Sequence, residues 1–133
     1  MDRLFLDANI LFSAAYRHSS GLLALWRLKD VKLCSSRYAL EEARINLSDE
    51  AQRQRLVNLP QSVHLFDAPD EELPESIRLP EQDVPVILAA MAARATHLLT
   101  GHVRHFGPYF GRKVCGILVL LPGDCFKRRT AKS

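Results

Sequence analysis

Apolar residues fall in short runs separated by stretches of helical spacing. Arg3-Leu4-Phe5-Leu6 runs into Asp7 and Asn9, which predicts a strand over 3–9 that leaves the interior at polar residues. Residues 10–28 show helical stretches broken near His18-Ser19-Ser20-Gly21. A second strand is predicted at 31–36, where Ser36 can cap a helix in which Tyr38, Leu40, Ala43 and Leu47 approach helical spacing. Ser48 can cap a further helix over 49–59, which Pro60 stops ahead of a third strand at 62–68. Residues 67–82 hold Asp67, Asp70, Glu71, Glu72, Glu75, Glu81 and three prolines, the makeup of a solvated connector or a frayed helix.

From Asp83 to Ala95 the chain is almost wholly small or aliphatic, predicting a helix buried on most sides, with Pro85 tolerated in its first turn. A fourth strand follows at 96–102 and a fifth at 113–122, the latter apolar on both alternating faces. Strands of that kind belong to a parallel sheet covered on both sides by helices. The expected fold is therefore α/β, a three-layer α/β/α sandwich around a mostly parallel sheet of about five strands. In such sheets ligands bind at the carboxyl ends of the strands. The polar residues there are Asp7 and Asn9, Ser35 and Ser36, then Thr100 and His102.

Composition adds bounds rather than function. At 133 residues, 47% hydrophobic and 25% charged, the chain has room for one domain with a core, and disordered or disulfide-rich secreted classes are excluded. The run at 84–93 is about half the roughly 20 residues that span a bilayer, so no membrane partner is expected. The amino terminus, with acids at positions 2 and 7, lacks the basic start of a secretory signal, which points to the cytoplasm. A net charge of +3 permits contact with a polyanion without demanding it. Cys34, Cys115 and Cys125 are far apart and read as reduced packing residues, with Cys125 in an expected loop where its thiol could reach the surface.

Four acids compete for chemistry. Asp7 is either a helix N-cap or a ligand at the sheet's carboxyl end. Glu41 and Glu42 point about 100° apart, so one of them faces the crevice, and periodicity does not choose between them. Asp83 either serves the dipole of the helix it precedes or joins the other acids. Carboxylates that converge repel one another unless a hard cation neutralises them, and Mg²⁺ or Mn²⁺ prefers such oxygen ligands.

The segments LDANILFSA (6–14), YALEEARINL (38–47), EQDVPVILAAMAARATHLLTG (81–101) and GILVLLPGDCF (116–126) together resemble the PIN domain. The resemblance implies an α/β/α metal-dependent nuclease, in many relatives the ribonuclease toxin of a toxin–antitoxin pair. It implies RNA as substrate, Mg²⁺ or Mn²⁺ as cofactor, an antitoxin protein as partner and homodimerisation. Carried over by position, the family's acids fall on Asp7, Glu42 (with Glu41 as fallback) and Asp83, and Asn9 matches the polar residue after the first acid. The domain covers 1–126, leaving a basic tail at 127–133 that could touch phosphates or simply solubilise the terminus.

The family commonly continues Thr-Gly-Asp, whereas this chain has Thr100-Gly101-His102. An imidazole there removes one charge and one hard ligand, which weakens Mg²⁺ and favours ions that tolerate nitrogen, such as Mn²⁺ or Zn²⁺. His105 could pair with His102 on one helical face, although HFGPYFG reads first as a loop whose aromatics pack or touch substrate. Thr100 and Asn9 would order the shell around the metal, and Arg104 and Arg112 would position the RNA backbone. Tyr109, Phe106 and Phe110 are candidates to stack bases, with core packing expected for at least two of them. A haloacid-dehalogenase-like phosphatase needs a second acid where Asn9 stands and is set aside. A PIN-like module with weakened or lost activity, binding RNA or a protein partner, is the alternative.

Overall fold

A computed structural model describes residues 1–131. In chain order the strands are β1 (Asp2–Leu6), β2 (Val31–Ser36), β3 (Val63–Phe66), β4 (His97–Leu99), β5 (Lys113–Val114) and β6 (Ile117–Leu120). The helices are α1 (Ala8–Tyr16), α2 (Arg37–Asn46), α3 (Glu50–Asn58), α4 (Val84–Ala92), α5 (Val103–Phe106) and α6 (Pro122–Ala131). The sheet runs β3-β2-β1-β4-β6-β5, parallel throughout except for β5, which pairs antiparallel at the edge.

Pleating divides the core in two. Leu4, Leu6, Leu33, Leu99 and Leu120 face α1, α2, α3 and α6, meeting Ile10, Leu11, Ala15, Ala39, Ala43, Leu56 and Cys125. Phe5, Cys34, Leu98 and Val119 point the other way, onto Val86, Ile87, Ala89 and Ala90 of α4 and Phe106 of α5. Strands packed on both faces need apolar residues at successive positions, which is why β1, β4 and β6 read as unbroken apolar runs. This is the expected three-layer α/β/α sandwich with a mostly parallel sheet.

Local details depart from the sequence reading. The apolar stretch at 113–122 is not one strand, because Cys115 (φ 52°) and Gly116 (φ 82°) turn the chain back in a two-residue hairpin between β5 and β6. The sheet thus has six strands rather than five. The region 10–28 holds α1 and a 3-10 turn at Gly21–Arg27, and the 3-10 turn is capped by Ser20. Asp49, not Ser48, caps α3, accepting from Ala51 N–H while Gln52 reaches back to close a capping box. In α2 the inward positions are Ala39 and Ala43, and Tyr38 is exposed.

Residues 67–80 hold no helix, and Leu73, Ile77 and Leu79 of this connector pack on the α4 side of the sheet. Residues 127–131 of the basic end belong to α6, where the Arg129 guanidinium donates to the Asp2 carboxylate at 2.9 Å, and 132–133 lie outside the described residues. That helix buries Cys125, so the exposed thiol is that of Cys115 in the hairpin turn. No helix is long and apolar enough to cross a membrane among the described residues.

Candidate functional site

The carboxyl ends of β1 and β4 lie side by side, and the residues just past them form one hydrogen-bonded knot. Asp7 closes β1, its N–H donating to Leu99 O, and its side chain is 2% exposed. One carboxylate oxygen, Oδ1, accepts from Ala8 N–H at 2.7 Å, which satisfies a free donor at the start of α1. The other, Oδ2, accepts from the Thr100 hydroxyl at 2.8 Å and from the Asn9 amide at 3.1 Å. Asp7 is therefore both the cap and a member of the site.

Thr100, fully buried after β4, also accepts from Asn9 Nδ2 and from His102 N–H, each at 3.2 Å. Asn9 is held at both ends, since its Oδ1 accepts from Gly101 N–H at 2.6 Å. The approach is so close that a Cβ on Gly101 would sit 3.1 Å from that oxygen. Thr100-Gly101 thus serves a packing need: a buried hydroxyl to fix Asp7, then a residue without a side chain to let Asn9 in.

Glu41 and Glu42 separate cleanly. Glu41 pairs with Arg44 one turn along, a 2.9 Å contact that together with that charge holds its carboxyl below the ordinary range. Glu42 turns toward Asp7. Burial first, and then the charges of Asp7 and Asp83, push its carboxyl upward, while His102 and His105 pull the other way. The same acids reach Tyr38, one turn before Glu42, whose hydroxyl is raised by burial and then by Glu42, Asp83 and Asp7.

Asp83 ends a 3-10 turn (Glu81–Asp83) and leads into α4, but its side chain caps nothing. Buried to 5% exposure, it lies against α5 instead, with Oδ2 2.7 Å from His105 Nδ1. The contact is close but poorly aligned, so both atoms are sealed from solvent without a well-directed hydrogen bond. Burial raises the Asp83 carboxyl most, Asp7 adds to the rise, and His105 and His102 oppose it.

His102 and His105 stack at 4.9 Å between ring centroids, because Val103–Phe106 forms a short helix rather than the loop read from HFGPYFG. His105 is thus part of the site, and its spacing of three from His102 was the available signal. Arg104, on the same turn, is exposed and forms no ion pair among the described residues. Of the aromatics, Phe106 is fully buried, Phe110 packs on the same core, and the Tyr109 hydroxyl accepts from Arg78 N–H and donates to Arg78 O. Phe106 therefore has no ring face open to a base, while Tyr109 and Phe110 are half-buried.

Around this end of the sheet the acids Asp7, Glu42 and Asp83 are opposed by His102 and His105, and no lysine or arginine acts on Glu42 or Asp83. Glu42 feels the charges of Asp7 and Asp83, and Asp83 that of Asp7, and such oxygen donors suit a hard divalent ion in charge and donor type. They do not form a closed cage: among the described residues no three His, Cys, Asp or Glu side chains stand together as a metal site.

Comparison with solved structures finds similar folds in two VapBC structures. The chain is similar to one chain of VapBC2 from Rickettsia felis bound to a DNA fragment from their promoter, with 16% identity, TM-score 0.66, and coverage of 88% of this chain and 96% of that one. It is also similar to one chain of VapBC-1 from nontypeable Haemophilus influenzae, with 15% identity, TM-score 0.58, and coverage of 91% and 98%. No curated protein matches it by sequence. The family model described as PIN domain matches residues 3–104, a span that holds Asp7, Glu42, Asp83 and His102, and the chain belongs to the PIN domain family.

Proposed function

We propose that this protein is a divalent-cation-dependent endoribonuclease and the toxin of a toxin–antitoxin pair. One observation carries the reading: Asp7, Glu42 and Asp83, from separate parts of the chain, meet at the carboxyl end of the sheet, where histidines but no lysine or arginine stand beside Glu42 and Asp83. Asp7, Glu42 and Asp83 would hold the metal, with His102 beside them, and magnesium or manganese would supply Lewis acidity and a water of lowered pKa.

The protein's own contribution is orientation. Ala8 N–H, Thr100 and Asn9 pin both oxygens of Asp7, so this carboxylate meets the substrate without reorganising. Burial and neighbouring acids raise the carboxyls of Glu42 and Asp83, a rise that a bound cation would oppose as His102 and His105 already do. Arg104, exposed on α5, would steady the phosphate backbone without reading sequence. The likeness of fold to chains of VapBC assemblies supports an antitoxin protein as partner.

His102 in the family's acidic position supports a second reading, a module of reduced activity that binds RNA. Single-stranded RNA incubated with the protein and Mg²⁺ or Mn²⁺, beside Asp7→Asn and His102→Asp, separates the two. Cleavage by the natural protein that Asp7→Asn abolishes supports the nuclease, and cleavage gained only by His102→Asp supports the weakened module. Growth arrest on expression, relieved by a co-encoded small protein, tests the toxin role.

A further inference from the structure

Beside the carboxylates a cleft of about 430 Å³ opens between α1 and α2. Its apolar wall is made by Ala8, Phe12 and Ala43, and its rim by Glu42, Asn46 and His102. No lysine or arginine lines it, so it has nothing to neutralise a phosphate. It offers instead the Phe12 ring, two methyl-bearing positions and two amides, of which that of Asn9 is already bonded to Asp7, Thr100 and Gly101.

The Asn46 amide is only partly used. Asn46 Nδ2 donates to Glu42 O at 3.0 Å, one turn back on α2, and Oδ1 has no hydrogen bond among the described residues. Asn46 therefore presents an acceptor and a second N–H on a side chain already anchored. The Phe12 ring is half-buried and rests against Tyr16 at 5.4 Å, so it is supported from one side. A supported aromatic face next to a free amide is the chemistry that holds an unstacked nucleobase: the ring stacks on the base and the amide meets its edge.

We propose that this cleft is a nucleobase subsite, in which Phe12 carries a single unpaired base of the RNA and Asn46 reads its edge, with the adjoining phosphate directed to the cation that the neighbouring acids would hold. The proposal rests on the nuclease reading of the carboxylate site. It places Phe12 ahead of Phe106, which is fully buried, and of Tyr109, whose hydroxyl is bonded to Arg78. It also assigns sequence preference to residues beside the proposed metal ligands but not among them, since neither Phe12 nor Asn46 is one of the four residues offered to the cation.

The test uses the full chain and short single-stranded oligoribonucleotides that differ at one base beside the cleaved bond. The natural protein is expected to favour one base at that position. Phe12→Leu, which keeps the apolar contact in the core, should raise KM about tenfold with kcat little changed, and Asn46→Ala should flatten the base preference about tenfold. Matching far-UV circular dichroism and Tm values establish that the variants fold. A second readout avoids turnover: Asp7→Asn protein is crosslinked with 4-thiouridine RNA in Mg²⁺, and the adduct should map to the peptide holding Phe12. Unchanged KM and preference in both variants, or adducts confined to residues 103–112, overturn the subsite while active natural protein leaves the nuclease reading intact. If the natural protein neither binds nor cleaves RNA, both fall together.

Discussion

Asp83 Oδ2 and His105 Nδ1 lie 2.7 Å apart, both sealed from solvent, and the geometry between them is not that of a directed hydrogen bond. A carboxylate oxygen and a bare ring nitrogen are both acceptors, so the two tolerate this distance only when one of them carries a proton. His105 is consequently the counter-group of a buried acid, and it stacks on His102, the residue that departs from the family pattern.

Removing His105 leaves that acid without its counter-group. His105→Ala is expected to lower folding stability by about 1–3 kcal/mol in urea denaturation, the cost of an orphaned buried polar group. Adding Asp83→Asn should return most of the loss, and a double-mutant cycle with no coupling between the two positions would refute the pairing.

Acids whose carboxyls are raised make folding depend on pH in a definite direction. Because Glu42 and Asp83 hold protons more tightly in the folded chain, their contribution is fully present below the ordinary carboxylate range and is lost as pH rises through the raised folded values. Without divalent cations, Glu42→Gln and Asp83→Asn are each expected to raise stability at neutral pH by about 0.5–2 kcal/mol. The advantage of the variants should shrink toward about pH 4, where the natural acids are protonated as well. Tm measured across that interval checks both statements, and a variant advantage that grows on acidification would contradict the sign.

Divalent ions supply the missing positive charge, so Mn²⁺ should raise the Tm of the natural protein, and should do so more than Mg²⁺ because His102 offers nitrogen. His102→Asp is expected to reverse that order of the two metals. Equal shifts by both metals in both proteins would remove His102 from the site.

Gly101→Ala tests the knot around Asp7. The new Cβ would meet Asn9 Oδ1 at 3.1 Å and displace the amide that bridges Asp7 and Thr100. Cleavage should fall about tenfold or more while Tm moves only a few degrees. An unaltered rate would show that Asn9 plays no part in orienting Asp7.

Thiol reactivity checks the carboxyl-terminal fold independently of function. In the native protein only Cys115 is expected to react quickly with a thiol reagent, because burial raises the thiols of Cys34 and Cys125 and encloses them. Rapid reaction of Cys125 would mean that α6 does not cover the sheet.

Much of this protein is written along the chain. Short apolar runs ending in Asp7, Ser36 and Thr100 specify buried parallel strands, since period and polarity are properties of neighbouring residues, and the family likeness of the segments around Asp7, Glu42 and Asp83 is equally linear. What the chain order does not carry is anything decided by contact across it. Two positive φ values split the apolar run at 113–122 into a hairpin, and docking on the sheet makes a helix of 122–131 that looked like loop and tail. The two glutamates differ because Arg44 bonds one, while burial and then the field of Asp7 meet the other. Asp83 stands at a helix start without capping it because burial against His105, 22 positions along the chain, outweighs a cap that local sequence alone would favour.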